Sequence, residues 1–379
     1  MSDAPLSCQK HLFDFPEGIT YLNCANQSPL LNASVEAGRE SVGIKAHPWN
    51  IHTTDYFADC ERIRPLFGKL INAPAENVAI VPATSYGIAV AAANLSLKKG
   101  GNILVLAEQF PSNYYTWREM AEKAGGEVRA VAFPEDGNWN RAILERMDDR
   151  TEILALPNCR WTDGSLIDLP TLRRAIGKGG PKLVLDVTQS LGALPFDAQA
   201  VDPDFLICSA YKWLFCPYGI SFLYVADRHL DGRPLEHNWV NRAGSQDFST
   251  LTDYRDDFQP GARRFDGGQH SNFITLPMAI KALEQLVAWK PERTLAYIQT
   301  LTDMLADAAP KLGAQVVDKA HRAGHMIGLR HAAPWPAETR KTLQDQKIYV
   351  SFRSTALRVS PHLYNTAEDI ERLIAALKA

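Results

Sequence analysis

LVLDVTQSLGALPFDAQAVDPDFLICSAYKWLFCPYGISFLYV occupies residues 183–225. An apolar run, Leu183-Val184-Leu185, ends in a carboxylate at Asp186, with Gln189 in the turn beyond it. A second run, Phe205-Leu206-Ile207-Cys208, delivers Ser209, Tyr211 and Lys212, and a third follows from 220 to 225. Near-continuous apolar runs of this length are strands buried on both faces. A carboxylate and a lysine at the carboxyl ends of neighbouring strands stand where open α/β sheets hold ligands. Any chemistry this chain performs belongs here.

Outward from this stretch the same texture repeats. Apolar runs at 78–81, 103–106, 128–132 and 153–156 alternate with helical patterns at 85–95, 113–124, 139–147 and 169–176. The alternation predicts an α/β fold with a largely parallel sheet covered on both faces. Ahead of it lie a short strand entering a polar turn at 21–29 and helices at 32–45 and 55–71, the second kinked or restarted at Pro65. Residues 228–269 are polar and rich in Gly and Arg, too long for a simple connection, and read as a lid. An apolar helix at 274–289 links to a second unit with a helix at 291–308 and short strands at 314–317, 325–329, 348–351 and 357–360. The last helix, 366–377, starts with Thr366 as N-cap and Asp369 at the capping-box position. The organisation expected is an N-terminal arm (1–20) packing on the small domain, a large domain (21–272), a linking helix (273–289) and a small α+β domain (290–379).

The 379 residues exceed what one core usually supports. A net charge of −3 leaves no electrostatic footprint for nucleic acid or an anionic membrane. Cysteines 8, 24, 60, 159, 208 and 216 form no Cys-x-x-Cys pair, and Cys24 and Cys208 fall in core segments, which suits reduced thiols in a cytoplasm. The N-terminus lacks the basic head and apolar run of a secretory signal. The most apolar window, 79–97, is interrupted by Pro82, Ser85, Tyr86 and Asn94, so no transmembrane helix is expected.

Lys212 carries two readings. An amine closing a buried strand is desolvated, which lowers its pKa and suits a Schiff base; the alternative is a surface lysine. Asp186 can keep a pyridinium nitrogen protonated and so make a pyridoxal ring an electron sink, or it can cap the next turn. Gln189 is placed to hydrogen-bond that ring's phenolic oxygen. In Ala83-Thr84-Ser85-Tyr86-Gly87, hydroxyls and N–H groups at a helix start suit a phosphate; plain N-capping by Thr84 or Ser85 explains them equally. The segment has neither the Gly-x-Gly-x-x-Gly nor the Walker spacing, so a nucleotide-binding oxidoreductase fails on its fingerprint. His321 and His325, four apart, lack a third ligand, and no metal site is expected.

The ordered set Asp186-x-x-Gln189 and Ser209-x-Tyr211-Lys212 resembles the class V aminotransferase family of pyridoxal-phosphate enzymes with the type I fold. That family includes cysteine desulfurases, selenocysteine lyases, kynureninases and isopenicillin-N-epimerase-like proteins, and the resemblance runs from about Tyr21 to the C-terminus. It implies pyridoxal 5′-phosphate on Lys212, a small amino-acid substrate and a homodimer with active sites between subunits. Thr84 and Ser85 match the phosphate pair, with Ser209 and Tyr211 adding to it; Tyr211 replaces a histidine of the desulfurases. Phe110 matches the aromatic stacked on the pyridine, and Trp161 the contact to the ring oxygen or substrate. Arg358 matches the clamp on the α-carboxylate, for which a bidentate guanidinium is suited; a structural ion pair is the other explanation, and Arg353 stands near enough in sequence to substitute. Core packing would equally explain both aromatics. Gln269 matches the position from which the second subunit reaches the phosphate, and His52 and Asn26 match positions on the substrate side.

One departure separates this chain from the desulfurases: residues 348–358 read IYVSFRSTALR, without the nucleophilic cysteine they carry there. The resemblance therefore implies an aminotransferase first, with a C–S or selenocysteine-type β-eliminating lyase or an epimerase as alternatives. A catalytically idle scaffold is the non-enzyme alternative, disfavoured by the intact Lys212, Asp186 and Arg358.

Overall fold

The computed structural model describes residues 6–378. The chain runs β1 (Thr20–Tyr21), α1 (Asn32–Lys45), α2 (Asp55–Ile71), β2 (Val78–Val81), α3 (Thr84–Asn94), β3 (Asn102–Leu106), α4 (Tyr115–Lys123), β4 (Glu127–Val131) and α5 (Trp139–Arg146). It continues through β5 (Thr151–Pro157), α6 (Leu169–Ile176), β6 (Lys182–Asp186), α7 (Ala198–Val201), β7 (Phe205–Ser209) and β8 (Ser221–Val225). After α8 (Thr275–Trp289) and α9 (Pro291–Ala308) come β9 (Ile327–Arg330), α10 (Ala337–Asp345), β10 (Ile348–Tyr349), β11 (Ser351–Arg353), β12 (Ala356–Val359) and α11 (Ala367–Lys378).

The apolar runs of the first half build one sheet, in the order β2-β8-β7-β6-β5-β3-β4. Strand β8 is antiparallel to both β2 and β7, and the other pairs are parallel. Successive side chains leave opposite faces, and both faces are covered. Ile103, Val105, Ile153, Val184 and Ile207 pack with Ile88 of α3 and Trp117 of α4. Leu104, Leu154, Leu185 and Leu206 pack with Phe67 of α2 and Leu283 of α8. This two-sided burial explains why the strands read as unbroken apolar runs rather than alternating ones.

Helix α3 lies directly on β7. A Cβ on Gly87 would meet Ile207 Cγ1 at 2.8 Å, so the close approach requires glycine there. Helix α2 runs through Pro65 as one helix, neither broken nor restarted.

The polar segment 228–269 is not folded over the Lys212 cavity, contrary to the lid expectation. Its end seals the free edge of β2: Asp266 accepts the Ile80 N–H at 2.6 Å and pairs with buried Arg64 at 2.5 Å, while Gly267 N donates to Ile80 O. An edge strand covered in this way cannot recruit another chain. Trp239 and Phe248 anchor the segment against Tyr56 of α2.

The C-terminal portion has its own three-stranded sheet, β11-β12-β9, and an apolar cluster including Leu301, Leu329, Leu357 and Leu373. Two expectations are corrected here, and one helix is new. Residues 314–317 form no strand: only Gln315 bridges to Arg330 before Asp318 turns the chain into a short 3-10 helix. The strand expected at 348–351 is split, because Ile348–Tyr349 pairs with β1 while Ser351–Arg353 pairs with β12. Helix α10 was missed because it buries a single apolar side chain, Leu343. At α11 the Asp369 half of the expected capping box forms, the Thr366 N–H donating to its carboxylate at 3.2 Å. Of the arm, residues 1–5 lie outside the described residues; Phe13 packs on Phe215, Trp289 and Tyr364. Among the described residues no helix is long and apolar enough to cross a membrane.

Candidate active site

A cavity of about 220 Å³ opens over the carboxyl ends of β2, β3, β5, β6 and β7, lined among others by Thr84, Phe110, Trp161, Asp186 and Lys212. Its size suits one small ring-bearing ligand rather than a dinucleotide.

One end is built for an anion. Helix α3 is preceded by Ala83 in extended conformation, with no side chain capping it. The N–H groups of Thr84, Ser85 and Tyr86 donate to no acceptor among the described residues, and the helix dipole is positive there. The N-capping explanation of Thr84 is set aside by its geometry: Oγ1 lies 2.6 Å from Ser209 Oγ and 3.3 Å from Thr188 Oγ1. Ser209 Oγ also stands 3.3 Å from Ser221 Oγ, and its N–H donates to Thr188 Oγ1 at 2.9 Å. Four hydroxyls from α3, β7, β8 and the β6 turn therefore gather beside three free N–H groups. Tyr211, half-buried, packs on Tyr218 at 4.7 Å at the same rim.

Lys212 is 7% exposed, which excludes the surface-lysine reading. Its Nζ has no hydrogen-bond acceptor among the described residues and stands 5.4 Å from the Phe110 ring centroid. Burial, then the charge of Arg358, pushes its pKa down to about 8, against the opposing pull of Asp186. Asp186 is also buried, and burial raises its pKa. Its Oδ1 accepts the Thr188 N–H at 3.0 Å, so the turn it organises is part of its role.

Gln189 is clamped at both ends of its amide. Nε2 donates to Ala25 O at 3.0 Å, and Oε1 accepts from Trp213 Nε1 at 3.1 Å, leaving one amide hydrogen free. His325 supports the same turn: its Nε2 meets Gln189 O at 2.6 Å and its ring packs edge-on to Trp213. Burial pushes its pKa down to about 4. Phe110 and Trp161 form an edge-to-face pair at 5.7 Å, and Trp161 Nε1 donates to Glu108 O.

Arg358 is 1% exposed and lies behind Trp161 rather than on the cavity wall. Nη1 donates to Trp161 O at 2.7 Å, Nη2 reaches Ser351 Oγ at 3.4 Å, and Nε has no partner. No carboxylate pairs with it among the described residues, so a structural ion pair does not explain it. Burial and the nearby charge of Arg353 lower its pKa to about 9.

With Arg358, four expected residues stand outside the cavity within the single chain. Asn26 and His52 are exposed, and Gln269, at φ 59°, lines a separate depression with Tyr56 and Trp239. Sequence reasoning missed Thr188, Cys159 and Ser221. Thr188 was visible inside the Asp186–Gln189 turn; Ser221 enters only through its register opposite both Val81 and Ser209. Burial raises the pKa of the Cys159 thiol on the cavity wall.

These features fit pyridoxal phosphate: orphan N–H donors for phosphate, a buried carboxylate for the ring nitrogen, and a buried amine without an acceptor. The sequence profile described as Aminotransferase class-V matches residues 45–373. The uncharacterized aminotransferase YcbU of Bacillus subtilis is 24% identical over 378 residues, covering 98% of this chain and 96% of that protein. The solved cysteine desulfurase CsdA of Escherichia coli superposes with a TM-score of 0.82 at 22% identity, over 97% of this chain and 96% of its own. A lysine-to-alanine mutant of C-DES, with glycine covalently linked to the PLP cofactor, has a TM-score of 0.82 at 17% identity, over 97% and 98% of the two chains.

Proposed function

The chain belongs to the aminotransferase class-V family, whose cofactor is pyridoxal 5′-phosphate, and on that premise we propose that it is an aminotransferase acting on an amino acid through Lys212. One observation carries the reading: Lys212 is a buried amine, lowered to about 8, beside a buried carboxylate and a carboxylate-free arginine.

In this reading Thr84, Ser85 and Ser209 hold the phosphate together with the first N–H groups of α3. Asp186 faces the ring nitrogen, Phe110 covers the ring, and Trp161 and the spare Gln189 amide hydrogen serve the ring oxygen. When bound, the cofactor supplies an electron sink for charge at the substrate α-carbon. Arg358, behind Trp161, keeps an Nε without a partner, and in this reading it meets the substrate carboxylate once the Trp161 wall gives way. With its pKa near 8, Lys212 is neutral in about a tenth of molecules at pH 7, so it can take a proton from the α-carbon and return it. The atom to which it returns the proton separates transamination from racemisation.

A thiol-based sulfur transfer has no candidate group at the site. Residues 348–358 hold no cysteine, burial opposes ionisation of Cys24, Cys60, Cys159, Cys208 and Cys216, and Cys8 lies in the N-terminal arm away from the cavity lining. The reading carries with it a cytoplasmic homodimer, in which Gln269 serves the phosphate of a second copy and Asn26 and His52 approach the substrate.

The test is a visible spectrum of the purified protein beside Lys212→Ala, followed by borohydride and mapping of the modified residue. A band present only with Lys212, and keto acid formed from an amino acid, are expected. Sulfide or racemised product in place of keto acid would overturn the aminotransferase assignment; absence of any band with added cofactor would overturn the enzyme reading.

A further inference from the structure

Strands β11 and β12 are antiparallel, with Ser351 opposite Arg358 and Arg353 opposite Ala356. Residues 351, 353, 356 and 358 therefore share one face, while Leu357 and Val359 turn into the apolar cluster. Arg353 and Arg358 are diagonal neighbours on that face, a separation of roughly 7–8 Å. Both converge on Trp161: Arg358 donates to its carbonyl, and the Arg353 guanidinium stands 5.4 Å from its ring centroid.

Like charges in this arrangement repel, and nothing among the described residues neutralises them. Neither arginine has a carboxylate partner, and the Nε of each is buried without an acceptor. The remaining bond of Arg353 goes to Phe352 O at 3.0 Å, on its own strand. Elsewhere the fold matches the arginines it buries. Arg64 meets Asp266, Arg160 meets Asp163, Arg322 meets Asp303, and Arg173 is satisfied by three carbonyls. Two unmatched guanidiniums behind one aromatic wall are an arrangement completed by a ligand, and one α-carboxylate needs only one of them.

Resting on the pyridoxal reading, we propose that the substrate is an amino acid with a second anionic group on its side chain, Arg358 holding the α-carboxylate and Arg353 the distal anion. The exposures fit this division. Arg358 is fully buried, whereas Arg353 is only partly so and stands against the ring of Trp161, which lines the cavity. A dianion relieves the repulsion between the two guanidiniums; a ligand with a neutral side chain leaves one charge uncompensated.

The experiment is an equilibrium titration of the holoenzyme's visible band with aspartate beside asparagine, and glutamate beside glutamine. Each pair has one shape and differs in charge. The acid of at least one pair is expected to bind tenfold or more tighter than its amide. In Arg353→Ala that ratio is expected to fall to within twofold, with part of it retained in Arg353→Lys. If Arg353→Ala does not fold, Arg353→Gln, which keeps the stem, reads the same ratio. Cysteate, the sulfonate counterpart of aspartate, identifies the anion: binding as tight as aspartate means any oxyanion serves, weaker binding means a carboxylate. Equal affinities for acid and amide in both pairs, or a ratio that survives in Arg353→Ala, overturns the proposal while the Lys212-dependent band still supports the cofactor reading. A wild-type protein with no such band overturns both.

Discussion

Thr84 Oγ1 and Ser209 Oγ meet at 2.6 Å, tying the first turn of α3 to the end of β7. The bond fixes the distance between the free N–H groups of α3 and the strand that delivers Lys212. Each hydroxyl keeps a second neighbour, Thr188 for Thr84 and Ser221 for Ser209, so either can turn toward a phosphate without leaving its partner orphaned. Hydrogen bonds to a charged group contribute about 1.5–3 kcal/mol. Thr84→Val, which keeps the shape, should weaken cofactor binding about ten- to a hundredfold, and Ser209→Ala should do the same. The double variant should lose less than the sum, because the two hydroxyls share one bond. Titration of the apo-proteins with pyridoxal phosphate, followed by absorbance, measures all three.

Lys212 is pulled in opposite directions by two charges. Burial and Arg358 lower its pKa to about 8, and Asp186 raises it. The neutral amine is the form that reacts with a carbonyl, so the rate at which the apo-protein binds cofactor at Lys212 should rise with pH, with a midpoint near 8. Arg358→Gln removes a repelling cation and should move that midpoint upward. Asp186→Asn removes an attracting anion and should move it downward. Stopped-flow measurement of the bound-cofactor band across pH 6 to 10 distinguishes these opposite shifts from a general loss of structure, which would move both variants the same way.

The sequence exposed this much of the site because Asp186, Gln189, Ser209 and Lys212 lie within one continuous stretch whose apolar runs fix which ends are exposed. Thr84 and Ser85 were equally legible at the next strand end, although their choice between capping and anion binding was not. That choice depends on Thr84 turning to Ser209, a partner 125 residues away. Ser221 was invisible for the same reason, since it matters only through strand register. Arg353 was read as a substitute for Arg358; the β11–β12 hairpin instead makes the two coexist on one face. The small C-terminal unit was less legible. Its strands are two to four residues long, and α10 is nearly all polar, so neither period develops far enough to be read.

His325 and His362 are buried behind the site against Trp213. Burial lowers their pKa values to about 4 and about 3, while the unfolded chain has the ordinary value near 6.5. Between these limits the unfolded state binds more protons, so stability is full above about 6.5 and falls as pH drops through the folded values. For His325 alone the loss is of order 3 kcal/mol by pH 4. Urea unfolding at intervals from pH 7 to 4 should show this decline, and His325→Gln should flatten it. An equally steep decline in the variant would assign the acid sensitivity to other groups.

Gly87 governs how deeply α3 seats on the sheet. A methyl there would stand 2.8 Å from Ile207 Cγ1 and 3.0 Å from Cγ2, both branches of a side chain on β7. Alanine would gain about 1 kcal/mol of helix propensity over glycine, yet overpacking of this kind costs about 1–3 kcal/mol. Net stability should therefore change little. The helix can escape the contact only by rising from β7, which separates Thr84 and its neighbouring N–H groups from Ser209. Gly87→Ala should accordingly weaken pyridoxal-phosphate binding by tenfold or more while the thermal midpoint of the apo-protein moves by only a few degrees. Adding Ile207→Ala removes both opposing branches and should restore much of the affinity, although it lowers stability through the cavity it leaves. A double variant that binds no better than Gly87→Ala alone would show that the seating of α3 on β7 does not set the geometry of the phosphate end.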